Sequence, residues 1–230
     1  METNTLINAQ DINKQFSKGT EAINVLNELD LEIESGDFIA LMGASGSGKS
    51  TLLNIIAGID TPTHGNIYID GVDIASLNDS QRTKWRTNNI GYVFQQYHLI
   101  STLNAEKNVE LPLLLHRMGK TERKKRVLAA LSLVDLEDRA HHKPSELSGG
   151  QEQRVGIARA IVTDPNILLC DEPTGNLDRK SGDEILELLQ ALNSEHGKTI
   201  IMVTHDPHAA SCAKRILYLD EGNISTKAVQ

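Results

Sequence analysis

No apolar run in this 230-residue chain approaches the roughly 20 residues that a helix needs to span a bilayer. Stretches such as Leu111 to Leu115 and Thr199 to Val203 stop far short, so the chain is not expected to cross a membrane by itself. Its N-terminal METNTLINAQDINK has neither the basic start nor the apolar stretch of an export signal, which makes the cytoplasm the expected compartment. Cysteine is scarce. Cys170 sits inside an apolar run and Cys212 in a helix-like stretch, with no disulfide framework, so both read as core or near-core thiols. Basic excess is also missing: a net charge of -8 speaks against a general nucleic-acid binder. The one local basic cluster, Lys120 to Arg126, reads as the solvated side of a helix. Nothing is low-complexity or repeated at a fixed period. What remains, 39% hydrophobic and 23% charged, is the composition of a single globular domain with room for a smaller insertion.

The early part of the chain reads as strands. Leu29 to Glu34 alternates apolar and acidic residues with period two until Gly36 breaks it. Phe38 to Met42 is a continuous apolar run, as expected of a strand buried on both faces, and a glycine-rich turn follows it. Ser50 to Ala57 then has helical potential, and Gly65 to Gly71 reads as a short edge strand bounded by glycines. From about Gln96 to Ile161 the spacing turns helical, notably at Val127, Leu128, Leu131 and Val134, with Pro112 and Pro144 as breaks. This segment, about 96–161, is the expected inserted helical subdomain, and about 1–95 with 162–230 forms the rest. Strand signals return at Ile167 to Cys170, Thr199 to Val203 and Arg215 to Leu219. Buried strands alternating with helices predict an α/β fold with a largely parallel central sheet.

Gly43-Ala44-Ser45-Gly46-Ser47-Gly48-Lys49-Ser50 has the spacing of a phosphate-binding loop, with a strand before it and a helix after it. Glycines let successive backbone N–H groups turn towards phosphates, while the positive end of the following helix faces the same point. Lys49 would reach the β and γ phosphates, Ser50 would hold magnesium, and Thr51 follows in the helix. Asp171-Glu172 closes the apolar run at Cys170, so two carboxylates emerge where open α/β sheets place their ligands. Asp171 suits magnesium held through water, and Glu172 suits polarising an attacking water.

A third element, Ser145-Glu146-Leu147-Ser148-Gly149-Gly150-Gln151-Glu152-Gln153-Arg154, runs from a hydroxyl-and-glycine turn straight into a helix-like stretch. With the phosphate loop, LSGGQ and ILLCDEP together, the sequence resembles the ATP-binding cassette (ABC) ATPases over nearly its whole length. The resemblance implies a P-loop NTPase fold with a mostly parallel core sheet, an antiparallel β subdomain and an inserted helical subdomain. It also implies ATP hydrolysis with Mg2+ in a head-to-tail homodimer. There, Ser148, Gly149, Gly150 and Gln151 of one copy would contact the ATP held by the other.

The same resemblance assigns further positions. Phe16 stands where an aromatic stacks on adenine. Gln95 stands where a glutamine contacts magnesium and the attacking water, Asp178 lies in the loop that communicates across the dimer, and His205 is where a histidine holds the γ-phosphate. Glu152 departs from the pattern, which usually has glutamine; a carboxylate there suits the helix dipole but opposes phosphate, so it is expected to point away. The other histidines, including His141 and His142, form no metal-ligand set. PTGNLD at Pro173 to Asp178 and FQQYHLISTLNAEKNVELP from Phe94 look like the macrolide-export, lipoprotein-release and cell-division subgroup. That likeness implies a separate transmembrane permease subunit, docked on residues after Gln95, at the cytoplasmic face of the inner membrane. The alternative is a soluble ABC ATPase acting on DNA or ribosomes, but such members carry a long coiled coil or two cassettes, and neither occurs here. A P-loop kinase for a small metabolite would leave LSGGQ and His205 idle.

Overall fold

The pleat of the central strands divides the apolar residues between two cores. The computed structural model describes residues 5–18 and 21–226; Met1 to Asn4, the start of the segment read for an export signal, lie outside the described residues. Two long strands, β1 (Thr5–Lys18) and β2 (Glu21–Glu34), pair antiparallel. In β2, Leu29, Leu31 and Ile33 are buried while Asp30, Glu32 and Glu34 face solvent, as the period-two pattern requires. Then come β3 (Phe38–Met42), α1 (Lys49–Ile56), β4 (His64–Ile69) and β5 (Val72–Asp73). The antiparallel sheet has the order β2-β1-β4-β5, so the Gly65 to Gly71 strand is interior and not an edge. The reason is the tight turn Asp70-Gly71, both at positive φ, which folds β5 back onto β4 and makes β5 the edge.

Next in the chain are α2 (Asp79–Asn89), β6 (Ile90–Val93), α3 (Ala105–Glu110), α4 (Lys120–Ser132) and α5 (Gly149–Ile161). They are followed by β7 (Ile167–Asp171), α6 (Arg179–Ser194), β8 (Thr199–Val203), α7 (Pro207–Ala210), β9 (Arg215–Asp220) and β10 (Asn223–Ser225). The six-stranded sheet runs β10-β9-β3-β8-β7-β6, parallel except for β10, which turns back on β9 through Glu221-Gly222. Phe38, Ala40, Leu168, Cys170, Ile200 and Met202 face a core shared with α3 to α6. Their neighbours Ile39, Leu41, Leu169, Ile201 and Val203 face a second core, shared with α1 and the antiparallel sheet. The fold is therefore α/β, with a mixed, mainly parallel sheet beside an antiparallel one.

The helices between β6 and β7 follow local signals. Asn104 caps α3, and Pro112 sits in the 3-10 turn Leu111–Leu115 that ends that run. Pro144 opens another 3-10 turn, Pro144–Glu146. In α4, Val127 and Leu131 are buried, but Leu128 is 41% exposed, and Val134 is buried beyond the helix end. The basic residues at the start of α4 are mostly solvent-facing, with Arg123 partly buried against Glu110. Cys170 is buried in β7; Cys212 lies half-buried in the turn after α7 and not in a helix. Among the described residues no helix is long and apolar enough to cross a membrane.

Gly91 in β6 is where α5 closes on the sheet: a Cβ there would sit 2.4 Å from the Ala160 carbonyl oxygen and 2.6 Å from Leu168 Cδ2. Gly91→Ala is expected to cost about 1–3 kcal/mol by overpacking. Urea unfolding should show a lowered midpoint at unchanged slope.

Candidate functional site

The loop after β3 is built around backbone approaches that only glycine allows. A Cβ at Gly43 would lie 2.2 Å from the Leu219 carbonyl oxygen, and one at Gly48 would lie 2.8 Å from the Val25 carbonyl oxygen. Gly48 also has φ of 102° and caps α1, which turns the helix N-terminus towards the loop. A cavity of about 690 Å³ opens here, lined by Gly43, Ala44, Ser45, Gly46, Gly48, Lys49, Ser50 and Thr51. Val25, Glu172, Val203 and His205 complete it. Ser47 points inward instead, its Oγ buried without a hydrogen-bond partner. Lys49 Nζ donates to the carbonyls of Gly43 at 2.8 Å and Ala44 at 2.7 Å. Burial lowers its pKa, opposed by the charges of Glu172 and Asp171.

The carboxylates reach the cavity because β7 ends beside β8. Asp171 pairs with Val203, and the Glu172 N–H donates to the Val203 carbonyl at 2.9 Å. Asp171 Oδ1 stands 3.5 Å from Ser50 Oγ. Burial raises the Asp171 pKa; the Ser50 hydroxyl opposes this, Glu172 adds to it, and Lys49 opposes it. Two hard oxygen donors from different elements thus converge beside the loop, a donor set that fits magnesium. Glu172 takes φ of 46°, which is uncommon outside glycine, and its Oε1 is 3.0 Å from His205 Nδ1. Gln95 arrives from the end of β6: a Cβ on Gly175 would be 2.7 Å from Gln95 Nε2 and 3.3 Å from Glu172 Oε2. Asn176 Nδ2 donates to the Gln95 carbonyl at 3.0 Å. Lys49, Ser50, Gln95, Asp171, Glu172 and His205 are therefore neighbours.

Other expected residues lie outside that cavity. Ser148 caps α5 in a reciprocal box: its Oγ accepts from the Gln151 N–H at 3.3 Å, and Gln151 Oε1 accepts from the Ser148 N–H at 3.0 Å. Gly149 abuts Tyr97, whose Oη would be 3.1 Å from a Cβ, and Gly150 abuts Ser181 at 3.2 Å in the same sense. None of residues 148–151 lines the cavity around Lys49. Asp178 is the N-cap of α6, and hydrogen bonds from Ser181 lower its pKa. Phe16 is 42% exposed on β1, opposite Ile23, with Lys14 Nζ 4.9 Å from its ring centre. Burial raises the pKa of Glu152, and burial, with the charge of Glu152 adding to it, raises that of Tyr97.

Sequence reading missed two contacts from α5. Gln153 Nε2 donates to the Pro173 carbonyl at 2.7 Å. Arg159 donates from Nη2 to the Tyr97 carbonyl and from Nη1 to the His98 carbonyl, both at 2.6 Å. Tyr97 and His98 are consecutive residues at positive φ, so Arg159 clamps a turn that would otherwise relax. The available signal was one cation inside the apolar stretch VGIARAIV.

A glycine loop with its lysine, opposed by carboxylates at the ends of parallel strands, defines the P-loop nucleotide hydrolases. The chain belongs to the ABC transporter family, whose model matches residues 26–175, and it is an ATP-binding cassette that hydrolyses ATP. It is 48% identical over 223 residues to the uncharacterized ABC transporter ATP-binding protein MJ0796 of Methanocaldococcus jannaschii, covering 95% of each chain. It is 46% identical over 219 residues to the macrolide export ATP-binding/permease protein MacB of Brucella melitensis, covering 95% of this chain and 34% of that one. Among solved structures, the dimeric post-hydrolysis state of MJ0796 bound to ADP and Pi superposes with a TM-score of 0.88 at 45% identity. That match covers 97% of this chain and 100% of the other.

Arg159→Met is expected to free the Tyr97-His98 turn while leaving the buried strands intact. Native-state hydrogen exchange should show faster exchange over residues 95–100 with unchanged protection of β7 and β8.

Proposed function

We propose that this ABC transporter ATP-binding subunit works as a head-to-tail homodimer, each copy completing the nucleotide site of the other. One observation carries the reading: residues 148–151 stand at the start of α5 yet take no part in lining the cavity of their own chain. A helix N-terminus with a serine and two glycines can receive a phosphate from outside. A relative whose solved structure is dimeric and bound to ADP and Pi supports a dimer.

In the proposed cycle Lys49 leaves the Gly43 and Ala44 carbonyls for the β and γ phosphates, and Phe16 stacks on the adenine. Glu172 accepts the proton of the attacking water, and His205 beside it fixes its direction while contacting the γ-phosphate. Ser50 and Asp171, with Gln95, would hold magnesium, which supplies positive charge against the phosphates. Asp178 links the two copies, while Ser148, Gly149, Gly150 and Gln151 meet the partner's nucleotide. Hydrolysis then weakens the interface and turns chemical energy into subunit movement.

The chain divides, on this reading, into a nucleotide-binding core with the antiparallel sheet, about 1–95 and 162–230, and a helical subdomain, about 96–161. A separate transmembrane permease docks on the helical side. An apolar cavity of about 430 Å³, lined by Ile59, Tyr92, Phe94, Leu111, Pro112 and Leu115 among others, supports this placement. The subunit thus acts at the cytoplasmic face of the inner membrane, in export or lipoprotein release, with no nucleic-acid partner. The likeness to a macrolide export protein supports that direction.

Glu172→Gln is expected to lower steady-state ATP turnover by roughly 10²- to 10⁴-fold while ATP binding and ATP-driven dimerisation persist. Near-normal phosphate release would remove Glu172 as the base. A bulky replacement, Gly149→Val, should abolish the ATP-induced dimer in sedimentation while sparing nucleotide binding; an undiminished dimer would count against the shared site.

A further inference from the structure

Gln153 is fully buried at 0% exposure, and its two amide atoms are treated unequally. Nε2 donates to the Pro173 carbonyl at 2.7 Å, whereas Oε1 is buried with no hydrogen-bond partner. The amide thus satisfies the carbonyl of buried Pro173 while leaving its own oxygen an unsatisfied acceptor; an apolar side chain of the same length would exchange one unpaired acceptor for the other. Packing alone does not account for a glutamine here.

Its acceptor sits at a hinge of the site. Gly175 N–H donates to the Glu172 carbonyl at 3.0 Å, closing a four-residue turn with Pro173 in second place. Types I and II of such a turn differ by reversal of the central peptide, with ψ of the second residue at about -30° or about +120°. The Pro173 carbonyl belongs to that peptide; Thr174, β-branched and not at positive φ, already disfavours the flipped form, and the bond from Gln153 ties the peptide as it stands to α5. Glu172 begins this turn, and Gly175, against which the Gln95 amide packs, ends it.

We infer that Gln153 is a positioning residue for hydrolysis: it locks the Glu172–Gly175 turn to the helix whose first turn carries the signature serine. Ser148 caps α5 and Gln153 lies within it, so displacement of the helix start reaches the Pro173 peptide directly. Each copy thereby registers, at its own catalytic turn, what its α5 has bound. The inference rests on Glu172 being the general base.

The test compares Gln153→Met and Gln153→Leu with the unaltered chain and with Glu172→Gln, using full-length protein and ATP. Both substitutions remove the unsatisfied oxygen and leave the Pro173 carbonyl without its donor, one unpaired acceptor exchanged for another, so at least one should keep the thermal midpoint. In that variant kcat is expected to fall roughly 10- to 100-fold, the scale of a small misplacement of a catalytic group, with KM for ATP and ATP-driven dimerisation unchanged. Adding Glu172→Gln should slow it no further than Glu172→Gln alone. Unchanged kcat beside an inactive Glu172→Gln overturns the inference and leaves the base in place. Full turnover by Glu172→Gln removes the base and this inference with it. Early melting of both Gln153 variants assigns the residue to the fold alone and overturns the inference.

Discussion

Val203 is paired on both sides of its strand with the two halves of the candidate nucleotide site. Leu41, just before the phosphate loop, is its partner on β3, and Asp171 is its partner on β7. The Glu172 N–H donates to the Val203 carbonyl, and the Thr204 N–H donates to the Leu41 carbonyl at 3.2 Å. Slipping either pairing by one residue would exchange, along a whole strand, the side chains that face one core with those that face the other. The two cores therefore fix this register, and the register fixes where loop, carboxylates and His205 emerge. Site geometry is in this sense a by-product of strand packing, at the sheet end where α/β folds hold ligands.

Electrostatics at that end is arranged for binding two opposite charges together. Burial moves both Lys49 and Asp171 towards neutrality, the lysine downward and the acid upward. A phosphate beside Lys49 would favour its charged form, and a cation beside Asp171 and Ser50 would favour the carboxylate. Either charge alone leaves the other buried group poorly matched. By linkage, a nucleotide that strengthened cation binding here would itself be bound more tightly, by the same factor, once a cation was present.

Elements whose signal is local were legible in the sequence. The phosphate loop declares itself by spacing and context, and β3, β7, β8 and β9 by apolar runs with the right breaks. By contrast, α2 buries no residue and carries no apolar stripe, so its Asn78-Gln81 capping box was its only mark. The two-residue β5 exists only because Asp70-Gly71 can turn so tightly. Gln153 with Pro173, 20 residues apart, and Arg159 with Tyr97, 62 apart, meet only after α5 has packed. The signature turn is visible as a turn, yet its spacing cannot say whose phosphate it serves; that came from resemblance.

Three residues at positive φ, Tyr97, His98 and Glu172, lie in turns that α5 holds. Glu172 begins the turn whose second carbonyl Gln153 holds, and Tyr97 with His98 forms the turn that Arg159 holds. Such conformations cost about 1–3 kcal/mol each and persist only where the surroundings over-determine them. Here much of the over-determination comes from one helix, and its acceptors are backbone carbonyls. A helix of 13 residues is about 20 Å long and moves nearly as a rigid body. The Tyr97-His98 turn and the Glu172–Gly175 turn consequently cannot relax independently. Any shift of α5 along or about its axis changes both at once, which makes the start of that helix the natural place from which to govern the site.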